Sequence, residues 1–176
     1  IANLKDVFKS INNILSENGV LIIEDPSLLE CIKKTSYDQF YNEHIYVFSA
    51  LAVKNIINQF GLELFDIQKI NTHGGSLRYF IKKKDNNLIK ITKKVSIQIK
   101  KEVKYGLNKF STYKNFGKKT IKSKIKLLSI LNKLKKKNKI IVGYGATAKA
   151  TTVLNYCNID EKIIDFFIDT TPDKVN

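Results

Sequence analysis

A strand, a glycine turn and a helix start follow one another in residues 140–149, Ile140-Ile141-Val142-Gly143-Tyr144-Gly145-Ala146-Thr147-Ala148-Lys149. The apolar run predicts a strand, and the two glycines predict a tight turn before the helix. A second apolar run, residues 163–168, predicts the next strand and ends in Asp169. These segments together predict the opening of a βαβ unit, and therefore an α/β fold.

The first half of the chain also alternates helices and strands. Apolar residues recur at helical spacing over residues 4–15, and the continuous run Val20–Ile23 predicts a buried strand of the parallel type. Ser49 predicts the cap of a helix from about Ala50 to Phe60. Residues 62–70 and 76–82 alternate in polarity, and they predict two strands joined by a turn at residues 72–75.

A lysine-rich segment separates these two regions. Residues 88–137 predict two or three helices, with breaks at Gly106 and at Phe116-Gly117. Residues 82–139 hold 21 lysines against two acidic residues, whereas the whole chain carries +15. This charge suits either a nucleic-acid surface or a solvated helix face. Since the chain contains a single arginine, and nucleic-acid readers usually rely on arginine, the solvated face is favoured.

Several protein classes are disfavoured by composition. No apolar run approaches the roughly 18 residues of a membrane span, and residues 1–17 are amphipathic, unlike a signal peptide. Cys31 and Cys157 are too few for a disulfide framework or a metal site, and they are predicted to be buried. We therefore expect a cytoplasmic protein without a membrane partner. Because the chain lacks methionine and stops just after a strand-like run, we also expect a piece of a longer protein.

Tyr41, Glu43 and His44 form the first candidate site. Imidazole titrates near neutrality, so it can take a proton and return it. A neighbouring carboxylate can fix its tautomer, and a tyrosine can stabilise a developing oxyanion. The same pattern also suits a structural histidine in a turn beside aromatic residues. A metal site is disfavoured, because adjacent Glu and His side chains rarely reach one ion.

Two glycine turns are further candidates. The turn His73-Gly74-Gly75-Ser76 permits close approach of a ligand to backbone N–H groups, but a plain hairpin turn has the same pattern. Gly143-x-Gly145-x-x-x-Lys149 follows a predicted strand, as a dinucleotide or phosphate turn does. It lacks the third glycine of the Rossmann fingerprint and the spacing of a P-loop.

Four ordered blocks together resemble the SAM-dependent sugar C-methyltransferases that act on nucleotide-linked 4-keto deoxysugars. The blocks are Tyr37-Asp38-Gln39-Phe40-Tyr41-x-Glu43-His44, His73-Gly74-Gly75-x-x-Arg78-Tyr79, residues 142–149, and Asp169-Thr170-Thr171-Pro172-Asp173-Lys174. The resemblance runs from about Asn18 to the C-terminus. It identifies the chain as similar to the C-terminal part of such an enzyme.

The resemblance implies an α/β architecture in three parts. Residues 1–85 would be the C-terminal half of a class I, Rossmann-like methyltransferase domain, which ends in the order helix, strand, helix, strand, strand. Residues 86–138 would be a lysine-rich helical connector. Residues 139–176 would be the start of a second Rossmann-like domain.

The resemblance also implies roles for the candidate residues. His44 would be the base that removes the proton on C3, next to the 4-keto group, and Tyr41 and Glu43 would surround the sugar and its enolate. The residues implied to bind the nucleotide-diphosphate sugar are His73, Gly74, Gly75, Arg78, Tyr144, Gly145, Thr147 and Lys149.

Two cofactors follow from the resemblance. S-adenosyl-L-methionine (SAM) would donate the methyl group, and zinc is implied only for an N-terminal cysteine-rich domain. This sequence contains neither those cysteines nor a glycine-rich SAM loop, so we expect the 176 residues alone to be inactive. The rival hypotheses are a non-catalytic sugar-nucleotide-binding remnant and a lysine-rich nucleic-acid-binding module.

Overall fold

The computed structural model describes residues 3–174 and confirms a mixed α/β fold. The six helices of this part of the chain are α1 (Leu4–Ile14), α2 (Leu28–Lys34), α3 (Ala50–Ile57), α4 (Lys93–Tyr105), α5 (Phe110–Lys135) and α6 (Ala148–Cys157). The five strands are β1 (Val20–Pro26), β2 (Leu62–Ile70), β3 (Ser76–Lys83), β4 (Val142–Tyr144) and β5 (Phe166–Ile168).

The chain forms two compact units. The first contains the residues up to Lys34 together with Ile45–Tyr113, and the second contains Thr35–His44 together with the chain from Lys114 onward. Helix α4 therefore belongs to the first unit, and most of α5 belongs to the second. The three-part division at residues 85 and 138 stays a prediction, since compactness alone does not identify evolutionary domains.

The first unit is built on a three-stranded antiparallel sheet with the order β1-β3-β2. The predicted pair of strands joined at residues 72–75 is confirmed as the hairpin β2–β3. Tyr79 of the central strand lies opposite Ile23 on one side and Ile67 on the other, and it is completely buried. Around it the sheet packs against α1, α3 and α4 to form the core of this unit.

Local signals in the sequence define where α3 and α4 begin and end. The Ser49 hydroxyl accepts the N–H of Ala52 at 3.1 Å and caps α3, as predicted. After a short 3-10 turn, Gly61 adopts a left-handed φ of +69° and stops the helix. Gly106, with φ of +94°, ends α4 in the same way, so that predicted break is confirmed.

Two predictions about these elements were wrong. Val20–Ile23 is not a buried parallel strand: β1 pairs antiparallel with β3 at the edge of the sheet, and Ile22 is 55% exposed. The predicted break at Phe116-Gly117 does not occur, because α5 continues through it. A glycine costs a helix about 1 kcal/mol relative to alanine, which a 26-residue helix with an apolar stripe can absorb.

The second unit contains the predicted βαβ unit. Strands β4 and β5 pair in parallel, with α6 as the connection between them. Strand β5 is shorter than predicted, because Ile163 and Ile164 precede it and pack instead beside Leu131, Cys157 and Ile159. Both cysteines are buried, as predicted. Among residues 3–174, no helix is long and apolar enough to cross a membrane.

Gly143 in β4 is expected to tolerate no side chain. An ideal Cβ at this position would lie 2.2 Å from the ring of Phe167 in the paired strand. We expect Gly143→Ala to lower the free energy of unfolding by about 2 kcal/mol, since the ring must move aside. The check is urea unfolding followed through NMR resonances of the second unit.

Gly117→Ala is the matched control, because an ideal Cβ there meets nothing within 4 Å. Its position inside α5 should make this change stabilising by roughly 0.5–1 kcal/mol. Effects of equal sign for the two substitutions would contradict the steric explanation.

Candidate functional site

The segment that precedes His44 is anchored on α6 of the second unit. Residues Tyr37–Gln39 form a 3-10 turn, and the Tyr37 ring packs on Tyr156 with 5.1 Å between the ring centroids. The Tyr37 hydroxyl lies 3.7 Å from the Sγ of Cys157. Burial, followed by this contact, raises the pKa of Tyr37. A neutral, part-buried phenol therefore holds the start of the segment against α6.

Tyr41 and His44 come together in the next turn. The His44 N–H donates to the Tyr41 carbonyl at 2.9 Å, and the two rings meet edge to face with centroids 4.8 Å apart. This contact orients the imidazole without burying it fully, since both side chains are half-buried. Glu43 is exposed beside them. The turn can therefore present an oriented imidazole, and next to it a phenol, to a ligand.

A cavity of about 540 Å³ adjoins this turn. It is lined by Phe40, Tyr41 and Asn42 from the segment and by Ala148, Thr151, Thr152 and Asn155 from α6. Its walls combine two aromatic rings with amide and hydroxyl groups, a mixture typical of sites for small polar ligands. Of the three predicted catalytic residues, only Tyr41 lines the cavity, and His44 contacts Tyr41.

The turn between β4 and α6 is already hydrogen-bonded within the second unit. Gly145, at φ of +89°, donates its N–H to the Ile168 carbonyl at 2.7 Å. The Ala146 N–H donates to Oδ2 of Asp169 at 2.7 Å. Thr147 caps α6 by accepting the N–H of Ala150. The Gly145 and Ala146 amides are therefore not free to bind a phosphate. A phosphate at this turn would have to bind the amides in the first turn of α6.

The candidate residues on either side of this turn differ in exposure. Tyr144 is 84% exposed, whereas Lys149 is half-buried near the start of α6. Asp169 ends a predicted strand and opens the fourth of the blocks that carry the family resemblance, but no structural role was predicted for it. The structure shows that it organises the turn, accepting from Ala146 on one oxygen and from the Thr171 N–H on the other at 2.9 Å.

Asp169→Asn should destabilise the second unit in a pH-dependent way. The hydrogen bonds from Thr171 and Ala146 hold the pKa of Asp169 well below its usual range. The folded state therefore binds this proton less readily than the unfolded state, so ionised Asp169 stabilises the fold. That contribution should be complete above the unfolded pKa of about 3.9 and should disappear as pH falls towards the folded value.

The measurement is the difference in unfolding free energy between wild type and Asp169→Asn at several pH values. We expect a constant difference from about pH 5 to 7 and a smaller one below about pH 4. A difference that grows on acidification would contradict the assignment.

In the first unit, the turn between β2 and β3 has a strained backbone. His73, Gly74 and Gly75 all have positive φ, of 50°, 80° and 126°. The Gly75 N–H donates to the Thr72 carbonyl at 2.7 Å, and the Gly75 carbonyl accepts the N–H of Ser27 at 3.0 Å. An ideal Cβ on Gly75 would lie 3.0 Å from the Glu30 side chain. The second glycine is therefore required by this close approach to α2.

Arg78 is already held by a carboxylate. Its Nε and Nη2 donate to Oε2 of Glu24 at 3.1 and 2.7 Å, and Thr72 donates to the other oxygen at 3.3 Å. The hydrogen bond from Arg78 lowers the pKa of Glu24. Arg78 thus ties β3 to β1 and, through Thr72, to the turn.

Within each unit, the structure groups part of the predicted set. The second unit contains Tyr41, Glu43 and His44 together with Tyr144, Gly145, Thr147 and Lys149. The first unit contains His73, Gly74, Gly75 and Arg78. It also contains a lysine-lined cavity that the sequence did not reveal, because its residues come from three separate elements. No group of three or more His, Cys, Asp or Glu within residues 3–174 is arranged to hold a metal ion.

Comparison with known proteins identifies the family. Residues 71–176 match the family described as the C-methyltransferase C-terminal domain, so the chain belongs to that family. The C-methyltransferase NovU of Streptomyces niveus is 25% identical over 171 residues. The alignment covers 97% of this chain but 40% of NovU, so the chain spans well under half of that relative's length. The predicted similarity to the C-terminal part of a C-methyltransferase is confirmed.

Proposed function

We propose that this chain is part of a SAM-dependent enzyme that methylates C3 of a nucleotide-linked 4-keto deoxysugar through an enolate. The observation that carries the proposal is the Tyr41–His44 turn, in which Tyr41 lines a cavity on α6 and the His44 ring contacts the Tyr41 ring. Family membership supplies the methyltransferase class. The particular substrate and the roles of the residues are our proposal.

The proposed chemistry begins with the proton on C3 of the sugar. The adjacent 4-keto group makes this proton acidic, and a ring nitrogen of neutral His44 removes it while the electron pair moves onto the ketone oxygen. The Tyr41 hydroxyl donates a hydrogen bond to the resulting oxyanion. Glu43 holds a sugar hydroxyl beside the base. After this step, C3 of the sugar is a nucleophilic carbon and His44 holds the proton.

SAM, when bound, supplies the electrophilic methyl group for this carbon. The described residues do not themselves fit SAM: in the strand–glycine–helix turn they contain, the Gly145 amide donates to the Ile168 carbonyl and the Ala146 amide to Asp169. We therefore propose that residues outside 3–174 hold SAM, and that this chain holds the sugar nucleotide. Any zinc site would likewise lie outside these residues.

The fold supports the proposed architecture. The sequence of elements α1, β1, α3, β2 and β3, with α2 added after β1, follows the order in which a class I methyltransferase domain ends. Strands β4 and β5 pair in parallel around the connection α6, and in this proposal they are the first βαβ unit of a second Rossmann-like domain. A helical connector composed of α4 and α5 would then join the two.

The remaining candidates are proposed to bind the sugar nucleotide in two ways. Gly145 and Thr147 shape the turn before α6, while Tyr144 and Lys149 contact the nucleotide or its diphosphate. His73, Gly74 and Gly75 line the sugar site. Arg78 contributes to the sugar site indirectly, because its guanidinium group already donates hydrogen bonds to Glu24.

The test uses protein expressed from the complete open reading frame, supplied with SAM and a nucleotide-linked 4-keto deoxysugar. We expect a product one methylene heavier by mass spectrometry, with the new methyl group on C3 by NMR. A methyl group on oxygen or nitrogen would contradict the enolate route. Substrate binding without any methylated product would favour the non-catalytic remnant.

A further inference from the structure

The first unit contains a cavity of about 430 Å³ whose lining includes Gly74 and Gly75 of the proposed sugar site. It lies among α2, the β2–β3 turn and α4, and the charged residues that line it are Glu30, Lys34, Lys69 and Lys101. Its volume is within the range of sites for small organic ligands. With three lysines and one glutamate, its lining carries a formal charge of +2.

The positive charge of this cavity is only partly neutralised by the protein. Lys101 Nζ lies 3.6 Å from Oε1 of Glu30, and Lys34 donates to the Gly74 carbonyl. Lys69 lies among the same charges, attracted by Glu30 and repelled by Lys101 and Lys33. The positive charge of Lys101, followed by partial burial, lowers the pKa of Lys69. A bound anion would relieve this repulsion between two neighbouring ammonium groups.

Gln98, the buried polar side chain of α4, gives the second independent observation. It lines the cavity and is 4% exposed, and its Nε2 donates to Oε1 of Glu102 at 2.9 Å. Because Glu102 can only accept, the amide cannot be flipped. The opposite atom, Oε1 of Gln98, has no hydrogen-bond partner within residues 3–174. A buried carbonyl of this kind requires a donor, such as a hydroxyl group.

We propose that this cavity binds a phosphate ester whose organic part carries a hydroxyl group, with Lys69 and Lys101 at the phosphate and Gln98 accepting from the hydroxyl. A phosphate dianion matches the charge of +2, which a single carboxylate would leave half neutralised. Because the cavity shares Gly74 and Gly75 with the proposed sugar site, this inference rests on the proposed function. The ligand is either a free sugar phosphate or the sugar-phosphate portion of a sugar nucleotide.

The test is isothermal titration calorimetry of the 176-residue chain at low salt with inorganic phosphate, α-D-glucose 1-phosphate and UDP-glucose. We expect glucose 1-phosphate to bind more tightly than inorganic phosphate, because its sugar hydroxyl groups extend beyond the phosphate and can donate to Gln98. Lys69→Met should weaken its binding about tenfold, since a charged hydrogen bond is lost. Lys54→Met removes an equal charge from an exposed position on α3, outside the cavity, and should change affinity less than twofold.

Lys101→Met is the second variant, and it should weaken glucose 1-phosphate binding to a similar extent. Tighter binding of UDP-glucose than of glucose 1-phosphate would identify the sugar nucleotide as the source, and the reverse would identify a free sugar phosphate. Equal losses in Lys69→Met and Lys54→Met would overturn the proposal, because they indicate a non-specific polycation. Absence of saturable binding to the wild type would overturn it as well. None of these outcomes depends on methyl transfer.

Discussion

Replacing Glu102 by alanine is expected to lower the free energy of unfolding of the first unit by about 4 kcal/mol. Glu102 of α4 is completely buried, and its two oxygens accept the N–H groups of Ala50 and Leu51 at 3.0 and 2.9 Å. Ser49 accepts the next amide, that of Ala52. The first amides of α3, which have no partner inside the helix, are thus satisfied by two side chains from different elements.

The size of this effect follows from what alanine would leave behind. A hydrogen bond to a charged group contributes about 1.5–3 kcal/mol, and a buried donor without a partner adds its desolvation penalty. The Gln98 amide would also lose its acceptor. In addition, the negative charge near the N-terminus of α3 interacts favourably with the helix dipole.

Glu102→Gln separates charge and hydrogen bonding from packing. Glutamine keeps the volume but turns one acceptor into a donor, which would face a backbone N–H, so we expect a loss of about 2 kcal/mol. Glu161→Ala, at an exposed position, is the control and should change stability by less than about 0.5 kcal/mol. Urea unfolding followed through resonances of α3 gives the three values. A loss below about 1 kcal/mol for Glu102→Ala would refute the capping role.

The second large effect is expected for His44→Asn in the complete protein. Asparagine fills part of the imidazole's space and stays polar, but it cannot take a proton at neutral pH. We expect kcat for methyl transfer to fall about 10³-fold, in the range typical of a lost general base. KM should change little, because His44 acts on the proton in the transition state and does not hold the substrate in place.

Tyr41→Phe provides a graded comparison. Phenylalanine retains the edge-to-face contact with His44 but removes the hydroxyl, so it should lower kcat less than His44→Asn does. Imidazole added to the His44→Asn protein should restore part of the rate. Retention of more than a tenth of wild-type kcat by His44→Asn would assign the base to another residue.

Elements defined by local signals could be predicted from the sequence. Ser49 and Gly61 at the ends of the α3 region, and Gly106 after α4, act through their own side chain or backbone conformation. Gly117 carries the same local signal but lies inside a long helix, where the neighbouring turns outweigh one unfavourable residue. The exposure of β1 depends on which strands surround it, and its own residues contain no such information.

The candidate site likewise has contacts that could be predicted from the local sequence and contacts that could not. Tyr41 and His44 are three residues apart, so their contact within one turn could be anticipated. Their attachment to α6 depends on Tyr37 packing against Tyr156, which is 119 positions further along the chain. The cavity near Lys69 was missed because its lining residues come from distant parts of the chain. In addition, the few lysines that converge there cannot be distinguished by sequence from the many other lysines.

Proton removal is the step that tests the central claim most directly. The measurement uses the complete protein and a nucleotide-linked 4-keto deoxysugar in D2O without SAM, with deuterium entry at C3 followed by NMR. We predict exchange catalysed by the wild type and lost in His44→Asn. Exchange that continues unchanged in His44→Asn would contradict the role of His44, and absence of exchange in the wild type would contradict the enolate route itself.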